Sequence, residues 1–266
     1  MNKHPKKTLV IGNWKMHLDT HQSSLLLQRL HERIKTHRTV EVVLAPSMLV
    51  LQPLSLQIDR RKFRLAAQNA HSKDEGAFTG EVSFAMLQGL IHYAIIGHSE
   101  RRIHFSESLE VIRDKVAACV RNGIIPILCV GETHQERIEG ETRQVLHDQV
   151  TTAISNLTSE EVRSLVIAYE PVWAISTFGG QLANPDDIAR ELSFIRNQVK
   201  DLYGPATAKA LRLIYGGSVD EHIVGGYLDL NECDGVLVGG ASLNYHKFSA
   251  IVDAAYRASH REIQAD

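Results

Sequence analysis

The sequence predicts an α/β protein built as a single closed (β/α)8 barrel. Eight short apolar runs recur along its 266 residues, and longer stretches with a helical period lie between them. The runs are near-continuously apolar rather than alternating. That is the pattern of strands buried on both faces, as in a parallel sheet. Parallel neighbours require right-handed crossovers, which the intervening helices supply. Eight such units in about this length favour a closed barrel over an open doubly wound sheet, which stays the alternative on pattern alone. One domain is expected over 1–266, with residues 1–7 as a short polar tail.

The runs read, in order, Thr8–Trp14, Val40–Pro46, Arg64–Asn69, Tyr93–His98, Ile124–Gly131, Leu165–Pro171, Leu211–Gly217 and Gly235–Gly240. Three helical faces stand out between them. Leu26, Leu30 and Ile34 form one, and Ile112, Val116 and Cys119 another. Ile188, Leu192, Ile195 and Val199 step along a third at intervals of three to four. Pro185, Asp186 and Asp187 suit the start of that helix, because proline fits its first position and acids suit its positive end.

Composition excludes several classes. The formal net charge is -2, which gives no basic field for nucleic acid. The N-terminal lysines Lys3, Lys6 and Lys7 read as a solvated tail. Cys119, Cys129 and Cys233 are odd in number and have no spacing pattern, which argues against disulfides and zinc and fits a reducing cytosol. No apolar run is long enough to span a membrane, and the polar N-terminus does not read as a signal peptide. Asn156-Leu157-Thr158 matches a glycosylation sequon, which is without meaning in a cytosolic chain.

Barrel chemistry sits at the C-terminal ends of the strands. There the sequence places Asn13 and Lys15 after the first run, and His98, Ser99 and Glu100 after the fourth. Glu170 follows the sixth, Gly216-Gly217-Ser218 the seventh and Gly239-Gly240 the eighth. A cation and an imidazole polarise a carbonyl, and a carboxylate takes a proton from the adjacent carbon. Glycine pairs present backbone N–H groups to an anion. Each piece also has a plain structural reading: Lys15 as a surface lysine, His98 as a core histidine, Glu170 as an arginine partner and the glycines as turns. Their joint placement points to proton abstraction beside a carbonyl on a phosphorylated substrate.

Several motifs are long enough to carry a resemblance. Gly12-Asn13-Trp14-Lys15-Met16, Ile96–Arg102, Ala168–Ile175, Tyr215–Val219 and Val238–Leu243 all resemble motifs of the triosephosphate isomerase family, in order along nearly the whole chain. Gln68-Asn69, Gly76–Glu81 and Cys129–Glu132 do so too. The resemblance implies a TIM barrel that interconverts dihydroxyacetone phosphate and D-glyceraldehyde 3-phosphate through an enediolate, in glycolysis and gluconeogenesis. It implies Glu170 as base, and neutral His98 as the group that polarises the carbonyl and shuttles the hydroxyl proton. Lys15 would supply positive charge, and Asn13 a further hydrogen bond. The family is itself the standard worked example of this division of labour. Glu100 and Ser99 would support Lys15 and Glu170, while Ser176, Ser218, Gly239 and Gly240 would grip the phosphate. No metal or organic cofactor is needed. The Gly76–Glu81 loop resembles one that inserts into a partner subunit, with Thr79 buttressing Asn13 and Lys15 of the other chain, so a cytosolic homodimer is expected, with neither nucleic acid nor membrane as a partner.

The chain departs from the family at the lid. The family continues Gly-Thr-Gly-Lys where this chain reads Ser176-Thr177-Phe178-Gly179-Gly180-Gln181-Leu182-Ala183-Asn184-Pro185. Ser176 keeps a backbone donor provided that it adopts the needed dihedrals. Phe178 replaces a second glycine, and Gly179-Gly180 can restore the lost freedom. Two readings follow: a lid variant on the triose reaction, or a pocket reshaped for a tetrulose phosphate. A phosphate-binding barrel without catalysis and a lyase releasing methylglyoxal are further alternatives. His17 stands where the family often has asparagine. His17 and His21 have a spacing that a metal can use on a helix, but no carboxylate pattern accompanies them, so His17 reads as a helix-start or interface residue.

Overall fold

The computed structural model describes residues 6–35 and 37–265, with side chains as far as Ser259. The first five residues of the expected tail, Lys3 among them, lie outside this range. Eight parallel strands close on themselves in sequence order. They are β1 (Thr8–Asn13), β2 (Val40–Ala45), β3 (Phe63–Ala67), β4 (Tyr93–Ile96), β5 (Ile125–Val130), β6 (Val166–Tyr169), β7 (Arg212–Tyr215) and β8 (Gly235–Val238). Closure is made by β8 against β1, from Leu9↔Gly235 to Gly12↔Val238. The expected barrel, rather than the open sheet, is the fold.

The continuous apolar runs have a direct cause. Leu9 and Ile11 point into the barrel, with Val43, Ala66, Ile95, Ile127, Ala168, Ile214 and Leu237. Val10 points outward into a second core shared with the helices. Both faces are dry, so alternation has no purpose here. The lower end of the barrel is plugged by a polar group: Arg212 donates to Glu41 Oε2 at 3.2 Å and to Tyr93 Oη at 2.8 Å, and Tyr93 donates to Glu41 Oε1 at 3.0 Å.

Helices cover the outside: α1 (Thr20–Arg33), α2 (Met48–Gln57), α3 (Phe84–Leu87), α4 (Ser99–His104), α5 (Leu109–Arg121), α6 (His134–Ile138), α7 (Thr142–Ile154), α8 (Ser159–Ser164), α9 (Pro185–Tyr203), α10 (Pro205–Ala210), α11 (Val224–Leu228) and α12 (Tyr245–Ala265). The three expected faces are buried, on α1, α5 and α9. Asn184 caps α9, accepting from the Asp186 N–H at 3.0 Å, and Pro185 opens the helix as expected. Asp19 and Gln22 form a reciprocal cap on α1, as do Thr133 with Glu136 on α6 and Thr158 with Glu161 on α8.

Two sequence expectations need correction. Lys6 is not a solvated tail residue: its ammonium donates to the Leu211 carbonyl at 2.7 Å and pairs with Asp234 at 3.5 Å. His17 lies outside the helix, three residues before Thr20, so the helical spacing to His21 is not realised. Among the described residues no group of three or more His, Cys, Asp or Glu is placed to hold a metal ion, and no helix is long and apolar enough to cross a membrane. Cys119, Cys129 and Cys233 are buried free thiols.

Candidate active site

The first strand delivers a strained lysine. Asn13 ends β1, and Lys15 follows two residues later with φ at 53°, a region that residues with a Cβ seldom occupy. Such a conformation persists only when its surroundings hold it. Here the Lys15 N–H donates to Asn13 Oδ1 at 3.1 Å, and the Gln68 amide donates to the Lys15 carbonyl at 2.8 Å. The ammonium reaches Glu100 Oε1 at 2.5 Å. Burial pushes the Glu100 carboxyl up, but the Lys15 hydrogen bond, the neighbouring His98 ring and the Lys15 ammonium outweigh it, and the net effect is downward. Glu100 therefore stays ionised and holds the Lys15 side chain in place.

His98 sits in the gap between β4 and α4 and caps that helix. The Glu100 N–H donates to His98 Nδ1 at 3.2 Å. A ring nitrogen that accepts is unprotonated, so the neutral ring carries its proton on Nε2. Nε2 lies 3.4 Å from Glu170 Oε1. The imidazole thus presents an N–H to the cavity.

Glu170 follows β6, and its N–H donates to the Val130 carbonyl at 2.7 Å. Its residue is 2% exposed and its Oε2 has no hydrogen-bond partner. Burial raises its pKa, against the lowering effects of His98, the Cys129 thiol, Lys15 and the Ser99 backbone. A carboxylate so placed is a stronger base than one in water. Two glycines make room for it. A methyl on Gly216 would stand 2.5 Å from Glu170 Cγ, and one on Gly131 would stand 1.9 Å from the Glu170 carbonyl oxygen.

These groups line one cavity of about 500 Å³ with Asn13, Lys15, His98, Glu170, Ser176, Gly216, Gly217, Ser218, Gly239 and Gly240 in its wall. Every expected catalytic and phosphate-gripping residue is there. Ser99 and Glu100 lie outside that wall, Glu100 in contact with Lys15 and Ser99 with its buried hydroxyl unpartnered. Thr79 is absent from it and lies exposed on its own loop. Ser218 has both donors engaged: its N–H and its hydroxyl reach the Ala174 carbonyl at 3.0 and 2.7 Å. In this arrangement it holds the start of the lid, and it is free for an anion only when Ala174 moves.

The lid solves its lost glycines locally. Ser176–Phe178 forms a 3-10 turn, and Gly179 and Gly180 then take φ of 142° and 62°. Two glycines thus carry the left-handed backbone, and Ser176 is spared it. Phe178 stacks on His104 with ring centroids 6.0 Å apart. Thr177 Oγ1 stands 3.4 Å from both Lys15 Nζ and Glu100 Oε1. At the lid's root, Glu132 is fully buried and accepts from Trp173 Nε1 at 2.8 Å and Tyr169 Oη at 3.1 Å.

Sequence reasoning gave no site role to five further wall residues: Leu182, Asp220, Ile223, Asn244 and Lys247. None belongs to a motif at a strand end. Leu182 comes from the far limb of the lid, and Asn244 and Lys247 from the start of α12. A second cavity of about 470 Å³ opens beside the first, sharing Asn13, Lys15 and His98, and reaching Met16, Met48, Glu81 and Phe105.

The sequence profile described as "Triosephosphate isomerase" matches residues 8–255. A protein of Clostridium tetani named "Triosephosphate isomerase" is 42% identical over 249 residues, covering 93% of this chain and 96% of that one. One of the same name from Carboxydothermus hydrogenoformans is 42% identical over 248 residues, covering 93% and 98%. A third, from Chloroherpeton thalassium, is 41% identical over 255 residues, covering 94% and 99%.

Proposed function

This chain belongs to the triosephosphate isomerase family, and from that premise we infer that it interconverts dihydroxyacetone phosphate and D-glyceraldehyde 3-phosphate. The observation that carries the inference is the meeting of a buried carboxylate, one oxygen of which has no hydrogen-bond partner, with an imidazole N–H, 3.4 Å apart, over a cavity with a lysine in its wall. Binding a phosphate needs no base, so a sensor or scaffold leaves Glu170 unexplained.

The chemistry follows from the placement. Glu170 removes a proton from the carbon beside the carbonyl and returns it to the neighbouring carbon. Negative charge develops on the carbonyl oxygen, where the His98 Nε2–H and the Lys15 ammonium meet it. The two oxygens then exchange a proton through His98, and an aldose becomes a ketose with no change in oxidation of the whole. Asn13 adds a hydrogen bond. Ser176, Ser218, Gly239 and Gly240 hold the phosphate, Ser218 after the lid has let go of it. Water is kept from the enediolate by closure of residues 176–184.

The same reading makes the enzyme a homodimer. Met16 is 94% exposed and Phe105 64% exposed, and both edge the second cavity. Large apolar groups left in water beside a catalytic lysine fit a surface that a partner covers. The loop 76–81 of the second subunit, with Thr79 at its tip, is the occupant that the resemblance offers. Buried free thiols fit a reducing cytosol.

The test is a coupled assay on both triose phosphates, with a four-carbon ketose phosphate run beside them. Fast turnover of the trioses supports the reading. Poor triose turnover with better tetrulose turnover overturns it in favour of a pocket re-specified by the lid, where Leu182 enters the wall.

A further inference from the structure

Lys247 has no part in the reaction described above, and its position runs against local preference. It lies in the first turn of α12, a helix of 21 residues. Asn244 caps that end, its Oδ1 accepting from the N–H groups of His246 at 2.9 Å and Lys247 at 3.2 Å. The start of a helix carries partial positive charge, so acids stabilise the first turn and cations oppose it. Acids do open α5 (Glu110), α6 (Glu136), α8 (Glu160 and Glu161) and α9 (Asp186 and Asp187), whereas α7, like α12, opens without one and carries a cation, Arg143, in its first turn. α12 has no acid in its first turn. Places where a local rule is broken without a structural gain are where function is to be sought.

Its surroundings supply the reason. Lys247 and Asn244 line the same cavity as Gly239 and Gly240, the backbone that faces the phosphate in the reading above. The other cation in that wall, Lys15, is already paired with Glu100 at 2.5 Å. The wall also holds two acids, Glu170 and Asp220. A phosphate monoester enters with up to two negative charges. Without Lys247, that dianion meets a wall in which acids outnumber uncommitted cations. Among the described residues Lys247 forms no ion pair of its own, so its charge is uncommitted.

We propose that Lys247 is a substrate-recognition residue whose ammonium pairs with the phosphate dianion held at Gly239-Gly240. An oxyanion placed there answers both the lysine and the helix end, and so removes the local conflict. The inference rests on the triose phosphate reading for the identity of the substrate alone, because the recognition is of a phosphate group.

Two measurements on the intact enzyme test it. The first is calorimetric titration with inorganic phosphate of the wild type and of Lys247→Gln, Lys247→Glu and Lys247→Arg. The second is steady-state kinetics on glyceraldehyde 3-phosphate. Loss of one charge-assisted contact is expected to weaken phosphate about ten-fold in Lys247→Gln. Lys247→Glu weakens it further and Lys247→Arg restores it. KM rises in step, while kcat falls less, because the contact is made in ground and transition states alike. Thermal stability separates this from damage: Lys247→Glu puts an acid at a helix start and raises Tm while it weakens binding. Unchanged phosphate affinity and KM in both Lys247→Gln and Lys247→Glu overturn the proposal. Wild type that binds phosphate through Lys247 but does not turn over trioses keeps the proposal and removes the isomerase reading.

Discussion

At the scale of single residues, Glu170 shows what a site costs the fold. The carboxylate is buried, one oxygen has no partner, and burial raises its pKa. An unfolded glutamate titrates near about 4.3. Between that value and the raised one, the folded chain holds a proton that the unfolded chain has released. Stability therefore falls as pH rises through this window, and the deficit persists above it. Glu170→Gln removes the deficit. The variant should melt higher than the wild type at pH 7, with the gap closing towards pH 4, while turnover falls by roughly 10²–10⁴ through loss of the base. Calorimetric scans across that pH range check the first part; a variant that melts lower at pH 7 sinks it. The positions of Glu170, His98 and Lys15 were legible because barrel chemistry sits at strand ends. Their geometry was not. No local sequence signal says that Glu170 Cγ occupies the space a Gly216 methyl would take, or that the Ser218 donors are spent on Ala174. Those are contacts between strands far apart in the chain.

Elements were legible in proportion to their length. α9 announced itself by four apolar residues in phase, a proline and two acids, and all three features appear where expected. The short helices α4, α6 and α8 did not, because five or six residues are too few to show a period. Their signals were caps: the reciprocal pairs Thr133 with Glu136 and Thr158 with Glu161 stand in the sequence but precede no long apolar stripe. α9 also matters to function, since its cap is the last residue of the lid. Asn184→Ala loses the bond to the Asp186 N–H and should cost about 1 kcal/mol. Leu192, with no exposed surface in the outer core, should cost about 2–5 kcal/mol as alanine. Urea titration measures both. The two should also differ in kinetics. Asn184→Ala loosens the lid's anchor and should depress kcat/KM, whereas Leu192→Ala should lower stability and leave the rate of the folded enzyme near its original value. Equal kinetics in the two variants would argue that the cap does not steady the lid.

For the whole molecule, pattern alone left closure open, because whether β8 meets β1 depends on residues at opposite ends of the chain. The structure closes it through the Leu9↔Gly235 register and plugs the lower end with Arg212, Glu41 and Tyr93. The upper end carries a different problem. Met16 and Phe105 stand in water at the edge of a cavity of about 470 Å³ that shares Asn13, Lys15 and His98 with the reaction site. The proposed two-fold dimer would answer it by placing each subunit's 76–81 loop over the other's exposed edge, since the same patch serves on both sides. The chain should then sediment at twice its 29.7 kDa. Phe105→Glu tests the assignment, because it puts a charge where the partner's loop must dock while lying outside the first cavity. Its expected outcome is dissociation at micromolar concentration and a turnover per chain at least about ten-fold lower, since Lys15 and Asn13 lose a supporting neighbour. Activity that returns as concentration is raised ties the loss to association rather than to folding. A wild type that sediments as a monomer at full activity, or a Phe105→Glu chain that stays paired, places the interface elsewhere and leaves the apolar rim to be covered by the lid's own movement.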